Sequence, residues 1–291
     1  MVIWQIFNIV FPIFSIVLVG FIYARRHAPD MAAANKLNID IFTPALIFHV
    51  LSGKDFYLAE YQFLAMGGAV VVLGSGLLAW PVARLFNFQV KTFVPPMMFS
   101  NSGNMGLPLA LFAFGEQALP AAVVLFIVEN LFNFSIGMKM MDATTSLLGL
   151  LRLPMLIATF AGLAVAVTPV QIPSVIAIPI EMLGQIAIPL MLFSLGVRLL
   201  SVDWSDWRIG VVGAVVCPLT GIVMALGINL VLSLPAEQFA MLLVFGALPP
   251  AVLNYMVSER FTQEPQRVAS IVMLGNLASV IVIPITLAFV L

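Results

Sequence analysis

The sequence predicts an all-α polytopic membrane protein with ten transmembrane helices, and three observations carry this prediction. Of 291 residues, 62% are hydrophobic and only 9% are charged, compared with roughly half and a quarter in soluble domains. Charged and turn-forming residues divide the chain into ten mostly apolar segments of about 20 residues, the length that crosses a bilayer. The basic residues fall almost entirely in connections that share one side of the membrane.

The predicted spans alternate with short connections. Residues 36–52 and 176–198 are the weakest candidates, because Asp40 and Glu181 lie near their starts. The ten spans cover approximately residues 3–24, 36–52, 60–83, 92–115, 117–138, 149–168, 176–198, 208–234, 238–258 and 265–290.

The distribution of basic residues predicts the orientation. With ten spans, eleven of the 12 Lys and Arg residues fall in odd-numbered connections, and only Lys54 falls on the other side. Cytoplasmic loops carry the excess of Lys and Arg, so we expect both termini to be extracytoplasmic. The short loops favour a bacterial inner membrane, and the net charge of −1 gives no indication of nucleic-acid binding.

The second half of the chain repeats features of the first. An offset of about 145 residues aligns residues 43–48 with 188–193 and brings Asn130 close to Asn276. Because each half holds an odd number of spans, the second half must be inverted relative to the first. We expect a first five-helix repeat over residues 1–138, a cytoplasmic linker over 139–148 and a second, inverted repeat over 149–291.

The fourth and ninth predicted spans contain residues that break a helix. The fourth contains two asparagines and two glycines before a proline, and the ninth contains a Pro-Pro pair. Proline removes a backbone donor and clashes with the preceding turn, and non-helical backbone inside a membrane must be buried or line a cavity. Each break should leave a helix N-terminus that can bind an anion, although these residues could also do no more than kink the helices. The predicted substrate-binding residues are Asn101, Asn104, Pro108, Pro249, Pro250 and Asn254.

Three segments, 101–114, 191–196 and 247–250, resemble the auxin efflux carrier family, which includes plant auxin exporters and bacterial organic-acid carriers called malate permeases. The resemblance covers essentially the whole chain, without the long central loop of many plant members. It implies a scaffold domain and a transport domain, each formed from both repeats. It also implies crossed fourth and ninth helices, an elevator-type movement and a homodimer.

The resemblance also assigns roles to single residues. Asn101 matches the asparagine that helps to bind the substrate carboxylate, and Pro108 matches the crossover proline. Pro249 matches the first proline of the ninth helix. Asn254 stands where plant members have a later proline, a departure that bears on the substrate.

A second group of polar residues is a candidate for ion coupling. Glu129 is the only carboxylate far from both ends of a predicted span, and a charge there is costly enough to suggest a function. It could couple transport to protons or cations, or be a neutral residue that bonds to a neighbouring helix. Asn130, Asn133 and Asn276 could bind sodium or join helices by hydrogen bonds.

Asp40 lies near the cytoplasmic start of the second span, four residues after Lys36. An i,i+4 ion pair with Lys36 would explain it structurally. The alternative is a role in proton coupling.

Together these features predict a secondary active transporter of a small organic anion, either a monocarboxylate such as an auxin-like aromatic acid, or malate. The lack of a basic residue deep in any predicted span favours a weakly or singly charged substrate over a tricarboxylate. A sodium- or proton-coupled carrier of another amphipathic solute, or a channel, is the alternative. The sequence predicts no enzyme, cofactor or metal site, because no catalytic dyad accompanies Glu129 or Asp40, and H⁺ or Na⁺ is expected only as a coupling ion.

Overall fold

The computed structural model describes residues 2–53, 56–144, 149, 152–168, 172–199 and 206–291. Lys54 and residues 145–148 of the predicted linker lie outside the described residues. The α-helices are α1 (Val2–His27), α2 (Ala32–Leu37), α3 (Thr43–Leu51), α4 (Leu58–Leu85), α5 (Val90–Met98), α6 (Leu107–Phe114), α7 (Leu119–Phe132), α8 (Met138–Met141), α9 (Pro154–Ala166), α10 (Ser174–Arg198), α11 (Trp207–Leu232), α12 (Ala236–Gly246), α13 (Val252–Arg260) and α14 (Pro265–Val290).

Wider helical turns with i→i+5 hydrogen bonds interrupt three of these helices. Asn38–Phe42 joins α2 to α3, Ser102–Gly106 leads into α6, and Asn133–Gly137 joins α7 to α8. Such π-type turns are rare and often mark functional sites. All three contain residues that face the candidate site described below.

Six of the described helices are long and apolar enough to cross a membrane. They are Trp4–His27, Ala59–Leu85, Glu116–Met141, Ser174–Arg198, Trp207–Leu232 and Pro265–Val290, and shorter apolar helices cover Ser102–Phe114, Pro154–Ala166 and Ala236–Gly246. The prediction of a helical polytopic membrane protein is confirmed. The count of ten spans stays a prediction.

The fourth and ninth predicted spans are both broken. In the fourth, α5 ends at Met98, and Phe99 has extended backbone angles (φ −108°, ψ 98°) before the chain becomes helical again at Ser102. In the ninth, α12 ends at Gly246, and Ala251 is extended (φ −67°, ψ 144°) before α13 begins. The Pro249–Pro250 pair of the ninth span cannot donate to a helical ladder, so this interruption follows from the sequence, whereas Pro95 and Pro96 of the fourth span lie inside α5, before its break.

The helices pack into two groups with fewer contacts between them than within them. The α10 group contains α1, α2, α3, α9 and α10. The crossover group contains α4 to α8 and α11 to α14, and therefore both broken helices. The candidate site lies where the two groups face each other.

Close contact between α1 and α10 gives the α10 group a rigid base. A Cβ atom added to Gly196 would lie 1.9 Å from the carbonyl oxygen of Val17, and one added to Gly20 would lie 2.2 Å from that of Phe193. The two backbones can approach this closely only because both positions lack a side chain. Small residues have this role in many membrane helix pairs.

We expect Gly196→Ala to destabilise the protein by about 1–3 kcal/mol, because the new methyl group must push α1 away from α10. Gly227→Ala is the matched control, since a Cβ there meets nothing within 4 Å. Thermal unfolding of detergent-purified protein, followed by size-exclusion chromatography, measures both variants. Equal melting temperatures for the two variants would contradict the close packing of α1 and α10.

Candidate functional site

The two interruptions meet and bond to each other through their backbones. The Asn101 N–H donates to the Pro249 carbonyl at 2.7 Å, and the Ala251 N–H donates to the Phe99 carbonyl at 3.0 Å. Ser100 and Pro250 oppose each other between these bonds as an antiparallel pair. Each break therefore satisfies backbone groups that the other leaves without a helical partner, as the membrane interior requires.

Asn276 of α14 braces this crossover with its side chain. Its Nδ2 donates to the Pro250 carbonyl at 3.0 Å and to the Val272 carbonyl at 2.7 Å, while its Oδ1 accepts from Asn101 Nδ2 at 3.0 Å. Both asparagines are buried. The Asn276 side chain thus contacts both broken segments. The sequence had left open whether Asn276 binds an ion or joins helices by hydrogen bonds.

Asn254 has a similar bracing position. Its Nδ2 donates to the carbonyls of Phe99 at 2.8 Å and Ala251 at 3.0 Å. The side chain is buried and does not line the crossover cavity defined below. The structure therefore places this predicted substrate ligand against the backbone of the crossover.

The predicted prolines also lie beside the cavity rather than in it. Pro249 and Pro250 supply carbonyl oxygens to Asn101 and Asn276. Pro108 is buried in the first turn of α6, eight residues after Ser100, where the two broken segments pair. The resemblance placed Pro108 at the crossover itself, and the structure instead has Ser100 there, opposite Pro250.

The helix that follows the first break begins with free backbone donors. The N–H groups of Met105 and Gly106 both donate to the Asn101 carbonyl at 3.0 Å. The amides of residues 102–104 precede these first bonds and have no partner within the helix. The positive end of a helix of 13 residues, Ser102–Phe114, therefore faces the space beside the crossover.

The second break also leaves a helix N-terminus with free backbone donors, at the start of α13. Asn254 N–H makes the first turn bond, to the Ala251 carbonyl at 3.1 Å. The amides of Val252 and Leu253 precede it. Two helix N-termini therefore face one space, an arrangement that attracts a carboxylate or another anion.

This space, the crossover cavity, has a volume of about 150 Å³. Five residues of the crossover group that the sequence predicted as substrate- or ion-binding line this cavity: Asn101, Asn104, Glu129, Asn130 and Asn133. Asn104 is half-buried, and the other four are buried. The α10 group supplies the facing wall, with polar side chains that include Asn35, Asn38, Thr43, Ser194 and Arg198.

Glu129 is buried at the edge of the crossover. Its Oε2 accepts a hydrogen bond from Ser100 Oγ at 3.2 Å, and the Ser102 hydroxyl also interacts with this carboxyl group. Asn130 donates its Nδ2 to the Phe126 carbonyl of its own helix at 2.8 Å. Asn133 is buried and lines the cavity. The hydroxyl group of Ser100, which pairs with Pro250, thus links the Glu129 carboxyl group to the crossover.

A larger cavity of about 670 Å³, the first vestibule, adjoins the crossover cavity. Asp40 is exposed and lines the first vestibule together with Lys36. The two side chains form no ion pair, since the ion pairs among the described residues join Arg267 to Asp206 and Glu264. The ion-pair interpretation of Asp40 was therefore wrong.

The crossover cavity is open on one side. Five residues line both the crossover cavity and the first vestibule: Asn35, Ile39, Arg198, Val252 and Met256. A second vestibule of about 660 Å³ is lined by His49, Glu116 and Glu181 among others, and shares no described lining residue with the crossover cavity. Among the described residues, the crossover cavity therefore connects to the first vestibule and not to the second.

Sequence reasoning missed the wall contributed by the α10 group. Arg198 is the last residue of its helix and was counted as a loop charge, although it is half-buried and lines the crossover cavity. The expectation concerned basic residues deep in a span, and Arg198 instead approaches the site from the end of α10. A signal was present in the spacing, because Ser194 and Arg198 lie one turn apart and share a helix face.

Comparison with known proteins adds two findings. A family model described as membrane transport protein matches residues 5–146 and 143–287. The chain is also 24% identical over 300 residues to a protein of Rhizobium meliloti (strain 1021) named "Putative malonate transporter". That alignment covers 95% of this chain and 93% of the relative.

We expect Asn276→Ala to destabilise the protein strongly, because it leaves the Pro250 carbonyl and the Asn101 amide without this partner, at about 1–3 kcal/mol for each buried group. Thr286→Ala on the same helix is the control, because its buried hydroxyl donates only to the Val282 carbonyl one turn away, at 2.9 Å. Thermal unfolding of both variants in detergent should show the larger loss for Asn276→Ala. Similar losses would indicate that Asn276 does not brace the crossover.

Proposed function

This chain belongs to the membrane transport protein family, and we propose that it is a secondary active transporter that carries a small organic anion by alternating access. The family match confirms the resemblance to the auxin efflux carriers, and members of this kind are transporters rather than enzymes. The observation that carries the proposal is the convergence of two helix N-termini on a buried cavity that is open on one side. Such a cavity can bind an anion and release it to one compartment.

The size of the crossover cavity favours a small acid. Its volume of about 150 Å³ is smaller than the roughly 300–1,000 Å³ of pockets for drug-sized ligands. The relative from Rhizobium meliloti bears the name of a malonate transporter. We therefore put malonate and malate ahead of an auxin-like aromatic acid as candidate substrates.

The order of the elements supports the proposed inverted repeat. In residues 1–138, a single helix is followed by α2–α3, the long α4, the broken α5–α6 and α7. In residues 149–291, a single helix α9 is followed by α10, the long α11, the broken α12–α13 and α14. Counting each broken or π-interrupted helix as one span gives five in each half and ten in total.

The two helix groups suggest how alternating access occurs. We assign the α10 group as the scaffold domain and the crossover group as the transport domain, each with helices from both repeats. Movement of the crossover group along the scaffold would carry the cavity from the first vestibule to the second. The elevator mechanism implied by the resemblance needs this kind of division, and the homodimer remains a proposal that rests on the resemblance alone.

The predicted orientation assigns each vestibule to one side of the membrane. Lys36 and Arg198 line the first vestibule, and both belong to the side predicted to be cytoplasmic. Glu116 and Gln117 line the second and belong to the predicted extracytoplasmic side. The structure would then be the inward-open state of a bacterial inner-membrane protein with both termini extracytoplasmic.

Proton coupling through Glu129 is the favoured ion mechanism. A protonated Glu129 removes the repulsion between its carboxylate and an anionic substrate in the same cavity, and Ser100 is positioned to bond to either form. Sodium is less favoured, because the Asn276 Oδ1 already accepts a bond from Asn101. Asp40 is exposed in the first vestibule and could transfer protons to the cytoplasm.

The single open side distinguishes a carrier from a channel. A channel needs a continuous path lined by polar groups or carbonyl oxygens, whereas the crossover cavity shares lining residues with one vestibule only. A coupled carrier of another amphipathic solute remains the second candidate. The larger first vestibule, with its mixed apolar and charged lining, is the observation that favours it.

The proposal predicts saturable uptake of radiolabelled malonate into proteoliposomes that exceeds uptake of indole-3-acetate. Asn104→Ala should raise KM by about tenfold, the effect of losing one hydrogen bond to a charged group, without lowering the melting temperature, because the side chain of Asn104 makes no hydrogen bond to the described residues. Asn8→Ala, the same change at an exposed position of α1, is the control. A lack of saturable uptake of any organic acid by correctly folded protein would reject the proposal.

A second prediction concerns coupling. Glu129→Gln keeps the size of the side chain and its ability to bond to Ser100, but it cannot release a proton. We expect this variant to lose uptake driven by an imposed pH gradient while it retains counterflow exchange of substrate across the membrane. If the variant still responds to the pH gradient as the wild type does, Glu129 is not the coupling group.

A further inference from the structure

His49 of α3 is a titratable side chain that the proposed mechanism does not use. It lines the second vestibule and is half-buried there. Its carbonyl accepts a hydrogen bond from Ser52 Oγ at 3.4 Å, whereas its ring nitrogens have no hydrogen-bond partner among the described residues. Histidine is the side chain that most readily gains and loses a proton near neutral pH. The His49 ring is therefore suited to exchange protons with water in the second vestibule.

Three other titratable side chains line the second vestibule. They are Glu116 of the short turn before α7, Glu181 of α10 and Tyr61 of α4. Carboxylic acids and phenols ordinarily titrate well below and well above neutral pH. The helix α9, which also packs against α3, has no titratable residue. Among the described lining residues, the imidazole of His49 is thus the group suited to proton exchange near neutral pH.

The helix that contains His49 extends from the crossover cavity to the second vestibule. Thr43, at the start of α3, lines the crossover cavity together with Glu129. Thr43 and His49 are six residues apart, which corresponds to about 9 Å along a helix. The neighbouring α7 runs in the opposite direction, with Glu129 at the crossover cavity and Pro120 at the second vestibule. A movement of the crossover group by about 9 Å along α3 would bring Glu129 to the level of His49.

Apolar side chains separate His49 from the crossover cavity in this structure. Leu46 and Ile47 lie between Thr43 and His49 on α3, and both are buried. No described residue lines both the crossover cavity and the second vestibule. An isolated charge in apolar surroundings is costly, so a proton does not cross this layer. Glu129 and His49 can exchange a proton only after the crossover group has moved, which prevents a proton leak through the carrier.

From this arrangement we infer that His49 is the proton relay between Glu129 and the water of the second vestibule. When the crossover group faces this vestibule, the His49 imidazolium transfers its proton to the Glu129 carboxylate. The neutral imidazole then takes a proton from an acid dissolved in the vestibule, and the reverse steps release the proton. This inference rests on the proposed function and assigns a further residue to its coupling mechanism.

The segment before α3 carries a counterpart of His49 for the first vestibule. Asp40 belongs to the π-type turn Asn38–Phe42, which leads directly into α3, and it is exposed in the first vestibule. Arg198, the other charged residue of α10, also lines the first vestibule. One continuous helical stretch of the proposed scaffold therefore presents a titratable group to each vestibule. Glu129, on the group proposed to move, would approach one of the two at a time.

The test measures uptake of radiolabelled malonate into right-side-out membrane vesicles that contain the full-length protein, driven by an inward proton gradient. His49→Gln should lower the initial rate about 10- to 100-fold, because a positioned acid–base group accelerates proton transfer. The final accumulation ratio should stay unchanged, because a relay alters the rate of proton exchange and not the number of protons that are coupled. Counterflow exchange at equal pH should also persist, which shows that the variant is folded.

His27→Gln is the matched control, because His27 is the other histidine of the chain and is exposed at the end of α1. It should keep the wild-type rate. His49→Ala is a second variant, whose gradient-driven rate should be restored by imidazole added outside the vesicles. The second vestibule, with a volume of about 660 Å³, has space for such a small base. Imidazole should leave the rate of His27→Gln unchanged.

Three outcomes would overturn the inference: wild-type rates in both His49 variants, a lower accumulation ratio in His49→Gln, or equal loss of gradient-driven uptake and counterflow without rescue by imidazole. The last is the result expected of a histidine that only supports the fold. If the wild type transports an organic acid but does not respond to the proton gradient, the inference fails while the carrier function stands. If no organic acid is transported at all, the proposed function fails as well.

Discussion

The pairing of two interrupted helices through their own backbones is the constraint on which the rest of this structure depends. Asn101 and Ala251 donate to carbonyls of the opposite break, so each interruption supplies what the other lacks. Without this exchange, both breaks would leave unsatisfied polar groups in the apolar part of the protein, each at a cost of several kcal/mol. The two breaks are therefore stable only together, and their crossing determines where the two helix N-termini are directed.

The asparagines near the crossover have two different roles that their chemistry alone does not distinguish. Asn254 and Asn276 donate to backbone carbonyls and hold the crossing in place. Asn104 and Asn38 face the cavity without such bonds. An amide side chain can donate and accept at once, which makes it suited to both tasks. The surrounding backbone decides which task each one performs.

The division of the helices into two groups links this local geometry to transport. The crossover and its braces lie within one group, while the arginine that faces them extends from the other. In the proposed mechanism, a substrate bound between them would contact the scaffold and the moving group at the same time. Its binding energy can then differ between the two end states, which any ligand-driven change of conformation requires.

The sequence by itself determined the helical class, the approximate limits of the helices and the positions of both breaks. These features depend on local properties: apolar stretches of membrane length, and prolines that cannot continue a helical ladder. The segments predicted at 208–234 and 265–290 agree with α11 and α14 to within two residues at each end. Candidate residues such as Asn101 and Glu129 could be chosen because polar groups are costly in apolar surroundings.

Only the tertiary structure decided the direction of each polar side chain, because that direction depends on how helices distant in sequence cross. Asn254 contacts a carbonyl 155 residues away along the chain. Arg198 lines the cavity because α10 ends beside it. The residues next to Asn254 and Arg198 in the sequence indicate neither contact.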